Sequence, residues 1–284
     1  MADPAVQRLG KRELGRYAYE ARMPDSLITE LTHEGDPNRI SGVVPKLANL
    51  IERDQNVEVA YLCTESADQI WKLPDEGAHF CGYRNIQMLW SALYAADHEG
   101  VRLGQSRPTV LDLQDMIEQA WDAGFNEHGR VATGGIRNTR KHVGTSEAEG
   151  LMLSLSIPCV GRAFDGKEAW KELFDSIETY FSSAAKQSND GKVRMTGCMP
   201  VFLQRPKHSM TVVGFERTLS GKRRLLTFDP AWRPPGDMMK PTSTRPFRWK
   251  VAWTLRMYRK SQRYLKRFRA FEALEISGRP GRAQ

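Results

Sequence analysis

The spacing of hydrophobic and polar positions changes about two thirds of the way along the chain. Before residue 190, apolar residues recur every three or four positions, which is typical of amphipathic helices. Such helices are predicted at residues 45–53, 81–96, 109–123, from 146 onward, and at 167–183. After residue 190, β-branched and aromatic residues predict strands at 199–204, 209–215 and 224–229, and further strands are predicted at 57–63, 157–164 and 271–276. This order predicts an α+β fold in which the helix at 81–96 packs on a mostly antiparallel sheet.

The helix at 81–96 begins with a candidate nucleophile. Ile86, Leu89 and Trp90 form its apolar face, and a loop rich in helix breakers precedes it, so Cys81 lies at its N-terminus. The helix dipole and the unpaired N–H groups there favour a negative charge. A free cysteine has a pKa of about 8.5, and such a setting lowers it to roughly 3.5–7.5. Cys81 is therefore a candidate thiolate, with a buried structural cysteine as the alternative.

Three residues of the second half supply the groups that a thiol nucleophile needs. His208 opens one predicted strand and Asp229 closes the next, and a hairpin at Ser220 brings both to the same end of the sheet. The carboxylate can then hold the imidazole, which accepts the thiol proton. Gln204 ends the preceding strand, and its amide is suited to donate to an oxyanion. Each residue alone has an ordinary explanation, but together they predict a catalytic site.

Length and composition favour one folded domain. The chain of 284 residues is 40% hydrophobic, which predicts a single core over residues 25–276, between disordered segments at 1–24 and 277–284. The first residues are polar and no long apolar run follows, which predicts neither a secretory signal nor a membrane span. Four widely spaced cysteines predict a reducing compartment, the cytoplasm or the nucleus, and no metal or other cofactor.

The positive charge is concentrated near the C-terminus. From residue 240 onward there are thirteen lysines and arginines and two glutamates, so this part carries +11 while residues 1–239 carry −3. Residues 249–268 are predicted to form one basic helix with interleaved aromatic residues. This composition suits weak contact with nucleic acid through phosphates and stacked bases. A solvated helix face is the alternative.

Three sequence blocks resemble one known family. They are Cys81-Gly82-Tyr83-Arg84-Asn85, the segment from Gln204 through His208 to Gly214, and the segment from Leu225 to Pro230. These are similar to blocks of the peptidase family that holds the Ufm1-specific proteases and the zinc-finger ubiquitin peptidases, and the resemblance covers residues 45–276. It implies a papain-like cysteine peptidase fold, with Cys81 as nucleophile, His208 as base, Asp229 as orienting acid and Gln204 as oxyanion donor.

Two departures from the family pattern accompany this resemblance. Family members commonly carry Trp-Gly before the cysteine, where this chain has His79 and Phe80. The cysteine and histidine sets of the family's zinc fingers are also absent from the sequence.

The resemblance further implies a substrate. It implies hydrolysis of the bond after the C-terminal Gly-Gly of ubiquitin or polyubiquitin, with Ufm1 as the alternative modifier. Glu147 would then read arginines of the modifier tail, with Asn126 or Glu127 in a second contact. A glutamate in the first turn of a helix also has an ordinary explanation, because it interacts favourably with the helix dipole. A non-catalytic modifier-binding protein on the same fold is the alternative from another class.

Overall fold

The computed structural model describes residues 16–34, 36–77, 79–102, 104, 106–184, 191–240 and 248–277. The helices are α1 (Asp25–Thr32), α2 (Val43–Glu52), α3 (Cys81–Ala95), α4 (Glu99–Arg102), α5 (Val110–Asp122), α6 (Glu127–Thr133), α7 (Thr145–Ser154), α8 (Ala169–Ser183), α9 (Gly236–Met239), α10 (Arg248–Tyr258) and α11 (Gln262–Leu265). The strands are β1 (Arg39–Ile40), β2 (Val57–Leu62), β3 (Gln69–Ile70), β4 (Cys159–Asp165), β5 (Val193–Met195), β6 (Val201–Arg205), β7 (His208–Thr218), β8 (Arg223–Phe228), β9 (Arg259–Ser261) and β10 (Ala270–Ile276).

The main sheet has the order β4-β10-β6-β7-β2-β5, and β8 pairs with both β7 and β9. Its pairs are antiparallel except for β2 with β5. Helix α3 packs against β7, and α8 packs against β10 and β4. Every residue of α3 from Gly82 to Leu93 is buried, because the helix has protein on all sides. The α+β fold, with the Cys81 helix packed on a mostly antiparallel sheet, is confirmed.

The predicted basic helix over residues 249–268 is wrong. Helix α10 ends at Tyr258, and β9, α11 and β10 follow. Residues 259–261 pair with β8, so that they cover what would otherwise be an open sheet edge. Ion pairs with Asp54, at 2.8 Å, and with Glu216, at 2.7 Å, hold Arg259 in this strand pairing. Both carboxylates come from distant parts of the chain, so the local pattern gave no sign of them.

The segment predicted to be disordered, residues 1–24, is packed from residue 16 onward. Met23 is 2% exposed and belongs to the core. Glu20 forms an ion pair with Arg140, and the guanidinium of Arg140 lies 3.7 Å from the ring centre of Tyr17. The polar residues of this segment are therefore bound by a loop more than a hundred positions away. At the other end, the Ser277 N–H donates to the Pro158 carbonyl at 2.7 Å. Residues 1–15 and 278–284 lie outside the described residues.

Over the described ranges, no helix combines the length and the apolar character that crossing a bilayer requires.

Candidate active site

Cys81 is the first residue of α3 and is partly buried. Gly82 follows it where another part of the chain passes very close. A Cβ at position 82 would lie 2.1 Å from the carbonyl oxygen of Val143, so only glycine fits there. The loop before α7 therefore closes directly over the start of the cysteine helix.

His208 and Asp229 meet at the same end of the sheet, as the hairpin predicts. His208 opens β7 after a tight turn in which Lys207 has a φ of 68°. Asp229 comes directly after β8, whose Phe228 is the register partner of Thr211 in β7. Nε2 of His208 lies 2.8 Å from Oδ1 of Asp229. An ionised carboxylate only accepts hydrogen bonds, so Nε2 donates, and Nδ1 is the ring nitrogen left for the sulfur.

The electrostatics of the three groups favour a charged pair of sulfur and imidazole. Burial opposes the thiolate, but hydrogen bonds with His208 and Ser209 outweigh burial and lower the pKa of Cys81. Burial likewise disfavours the imidazolium, yet the hydrogen bonds with Asp229 and Cys81 raise the pKa of His208 to about 9. Burial is also outweighed at Asp229, where His208 and Lys260 hold the pKa of the carboxyl far below its usual range. The lowered pKa of Cys81 and the raised pKa of His208 both favour transfer of the proton from sulfur to imidazole, beside an ionised Asp229.

Gln204 lies in β6 and is the register partner of Ser209 in β7, so both side chains lie on one face of the sheet. Its amide oxygen accepts the Thr145 N–H at 3.1 Å. Gly144 permits this approach, since a Cβ at that position would lie 2.3 Å from the same oxygen. Because the oxygen is held in this way, the orientation of the amide is fixed, and its NH₂ group remains as a donor.

Comparison with known proteins identifies the family to which this site belongs. The model of Peptidase family C78 matches residues 56–274, which is most of the chain. The chain belongs to peptidase family C78. A similar protein from mouse, zinc finger-containing ubiquitin peptidase 1, is 35% identical over 168 residues, which cover 56% of this chain and 28% of that protein. Ubiquitin carboxyl-terminal hydrolase mug105 from Schizosaccharomyces pombe is 28% identical over 155 residues, which cover 53% of this chain and 59% of that protein.

Among solved structures, the crystal structure of UfSP from C. elegans is similar in fold. The matched region covers 87% of the present chain and 40% of the UfSP chain, with a TM-score of 0.53 and 14% sequence identity. The predicted papain-like cysteine peptidase fold is therefore confirmed. This C78 peptidase spans less than a third of the length of the mouse relative.

Asn85 links the two halves of the peptidase site, and sequence reasoning did not single it out. It lies one turn after Cys81 and is fully buried. Its amide nitrogen donates to the Ser209 hydroxyl at 2.9 Å and to the Cys81 carbonyl at 2.7 Å, and its oxygen accepts from Thr211 at 2.8 Å. The side chain thereby fixes α3 against β7, and so the sulfur against the imidazole. A polar residue within a buried helix face was the signal that could have found it.

The three residues predicted to bind substrate are only partly grouped. Glu147 is 9% exposed, and one oxygen accepts the Gly144 N–H at 2.8 Å, which is the ordinary role of a glutamate at this helix position. Its other oxygen lies 3.4 Å from the amide nitrogen of Asn126, so these two side chains meet. Glu127 opens α6 and is exposed to solvent. Their role in reading a modifier tail stays a prediction.

In the part of the chain that the structure describes, no three histidine, cysteine, aspartate or glutamate side chains are grouped as metal ligands are. The absence of a cofactor stays a prediction.

Proposed function

We propose that this C78 peptidase is a cysteine-type deubiquitinase that hydrolyses the bond after the C-terminal Gly-Gly of ubiquitin. The observation that carries the proposal is the line of Cys81, His208 and Asp229 at the start of α3, with the amide of Gln204 beside it. The choice of ubiquitin is supported by the mouse and fission yeast relatives, which are named as ubiquitin peptidases. Ufm1 is the alternative modifier, because the fold is similar to that of UfSP.

The reaction proceeds in two steps at these groups. The Cys81 thiolate attacks the carbonyl carbon of the terminal glycine, and the new oxyanion accepts a hydrogen bond from the Gln204 amide. The His208 imidazolium gives its proton to the leaving amine as the C–N bond breaks, which leaves a thioester on the sulfur. His208, now neutral, takes one proton from water, whose oxygen attacks the thioester. The thiolate leaves, and the released glycine carboxyl group gives its own proton to solvent.

The approach to the sulfur favours a tail without side chains. The loop that carries Val143 and Gly144 touches the start of α3 on one side and Gln204 on the other. Glycine is the residue that threads such a passage, which suits a modifier that ends in Gly-Gly. Glu147 with Asn126, or the exposed Glu127, then supplies carboxylate and amide oxygens for arginines further up the tail.

A panel of C-terminal electrophilic probes tests the proposal. Probes made from ubiquitin, Ufm1, SUMO and NEDD8 are incubated with wild type and with Cys81→Ala. We expect the ubiquitin probe to form a covalent adduct fastest, and Cys81→Ala to form none. Labelling by the Ufm1 probe alone would move the assignment to that modifier. If neither the ubiquitin nor the Ufm1 probe reacts while a small haloacetamide still alkylates Cys81, the proposal fails. Measurable binding of a modifier without turnover would then favour a non-catalytic binder.

We propose that this activity takes place in a reducing compartment, the cytoplasm or the nucleus. The proposal is supported by the four cysteines, all within the described residues, which are not joined in disulfide bonds.

A second candidate function, contact with nucleic acid, is favoured by an open groove on the structure. Its volume is about 460 Å³, and its lining residues are Lys222, Arg223, Arg224, Ser261, Gln262, Arg263 and Lys266. Arg223 is neutralised by Asp175 and Glu178, and Arg224 by Glu216. The other three cations of the groove are Lys222, Arg263 and Lys266, and among the described residues they form no ion pair.

This groove suits phosphates rather than bases. Its lining has cations and two polar side chains but no aromatic ring. The nearby ring of Phe268 is already stacked by Arg205, at 4.4 Å, and that of Tyr264 by Arg267, at 4.6 Å. We therefore propose that nucleic acid contact, where it occurs, is through the phosphate backbone and independent of sequence.

Reversing two of the free charges tests this groove. We expect the affinity for a fluorescent DNA duplex, measured by anisotropy, to fall with salt at a logarithmic slope of roughly −2 to −3, as three phosphate contacts imply. Lys222→Glu with Arg263→Glu should lower affinity at least tenfold at low salt. The matched control, Arg53→Glu with Lys72→Glu, changes two exposed cations outside the groove by the same charge. Equal losses in the two double variants would mean that only net charge attracts DNA.

A further inference from the structure

The Asp229 carboxylate has two partners besides His208, and one of them is charged. Its Oδ1 accepts from Nε2 of His208 at 2.8 Å and from the Ala231 N–H at 3.0 Å. Its Oδ2 accepts from Nζ of Lys260 at 3.0 Å. The side chains of Asp229 and Lys260 are 8% and 14% exposed, so this is not a solvated surface pair. The row of sulfur, imidazole and carboxylate thus continues to a fourth group, an ammonium.

The surrounding structure holds this ammonium in place. Lys260 is the central residue of β9 and the register partner of Leu225 in β8, the strand that leads into Asp229. Its Nζ also lies 5.3 Å from the ring centre of Tyr264 in α11. An ammonium over an aromatic face is attracted by the ring. Sheet pairing, carboxylate and ring together restrict a side chain that would otherwise be flexible.

We propose that Lys260 is a positioning residue of the active site, which holds the Asp229 carboxylate against His208 and balances its charge. This inference rests on the catalytic role proposed for His208 and Asp229. Lys260 touches no reacting atom, so it acts only through the carboxylate. With Oδ2 anchored, Oδ1 stays directed at Nε2, and the imidazole keeps the orientation in which Nδ1 faces the sulfur.

The charge of Lys260 also changes how firmly His208 holds its proton. Asp229 raises the pKa of His208, and a cation on the far side of the same carboxylate opposes that effect. Arg205 and Arg267 also lie near this ammonium, with guanidinium groups over the ring of Tyr264. Glu272 accepts a hydrogen bond from the Thr145 hydroxyl, next to Gln204. Removal of the Lys260 charge should therefore leave the imidazolium protonated to higher pH. The leaving amine would be protonated less readily, because the acid that serves it is weaker.

Three substitutions separate charge from hydrogen bonding and from packing. Lys260→Arg keeps charge and donor, Lys260→Gln keeps a donor without charge, and Lys260→Met keeps only the length. Two rates are measured across pH: turnover of a ubiquitin–fluorophore conjugate, and alkylation of Cys81 by iodoacetate, which needs no modifier. The iodoacetate carboxylate is attracted by the His208 imidazolium, so this rate falls when His208 loses its proton. Thermal unfolding of each variant shows whether the fold is retained.

We expect Lys260→Met to lower kcat about tenfold with little change in KM, and Lys260→Arg to restore most of it. The alkaline limb of both pH profiles should move upward by roughly one pH unit in the Met and Gln variants alike. Alkaline limbs that stay in place in both variants overturn the proposal, whatever happens to thermal stability. If the alkylation profile shifts while no modifier is turned over, the inference on Lys260 stands and the proposed function fails.

Discussion

Replacing His208 with glutamine is expected to lower kcat/KM by about 10⁴-fold or more, because one group serves as ion-pair partner, acid and base. Nε2 of His208 donates to Asp229, and its other nitrogen faces Cys81. A glutamine retains polarity and much of the volume but cannot carry the transferred proton. Hydrolysis of a ubiquitin–fluorophore conjugate measures the loss.

The same variant should change the pH dependence of the thiol. The hydrogen bond and charge of His208 lower the pKa of Cys81, whereas burial raises it. Without the imidazole only burial and Ser209 remain, so the pKa rises and less thiolate exists at a given pH. Alkylation of Cys81 by a haloacetamide at pH 6 should slow at least tenfold, and its midpoint should move toward or above the ordinary value of about 8.5.

A matched substitution controls for the loss of a histidine. His33 is exposed, and its Nδ1 bonds to the Thr29 carbonyl within its own helix end, at 2.9 Å. His33→Gln should leave both turnover and the alkylation profile unchanged. Turnover that survives in His208→Gln would place the base elsewhere in the site, with His79 the first residue to examine.

How much of this site the sequence predicts depends on how local each signal is. The strands that carry Gln204, His208 and Asp229 are recognisable because apolar and β-branched residues recur with the period of a strand and turn residues separate them. The predicted strands at 199–204, 209–215 and 224–229 correspond to β6, β7 and β8 within a few residues. Helix α3 is equally clear, since its start follows a loop of breakers and its apolar face is continuous.

Contacts between segments that are distant in the sequence produce no local sequence pattern, so they could not be predicted. Lys260 binds a carboxylate 31 positions earlier, and Arg140 binds Glu20 at a separation of 120 positions. A window around Lys260 shows only a basic, aromatic segment, for which a helix is the reasonable prediction. Residues 259–261 form a strand instead, because they pair with β8 and their cations meet buried carboxylates. These two contributions outweigh a modest helical preference. Site residues in irregular or edge segments are therefore the ones that sequence reasoning misses.

Replacing Gln204 with alanine is expected to lower kcat by about 10²- to 10³-fold with little change in KM, because an oxyanion donor acts mainly in the transition state. The Thr145 N–H holds the amide oxygen at 3.1 Å, so the NH₂ group keeps one orientation before substrate arrives. Gln204→Glu should be at least as impaired as the alanine variant, because it removes the donor and adds negative charge where the oxyanion forms.

Two comparisons make this prediction specific to the oxyanion. No oxyanion forms when a haloacetamide alkylates Cys81. Cys81 of Gln204→Ala should therefore be alkylated at nearly the wild-type rate, while the peptidase turnover of this variant falls. Gln55→Ala is the matched control, because Gln55 is exposed in the turn before β2 and lies outside the site. Gln55→Ala should retain nearly full turnover. A raised KM with unchanged kcat in Gln204→Ala would show instead that the amide holds the modifier tail in the ground state, and the donor role would have to pass to the backbone at the start of α3.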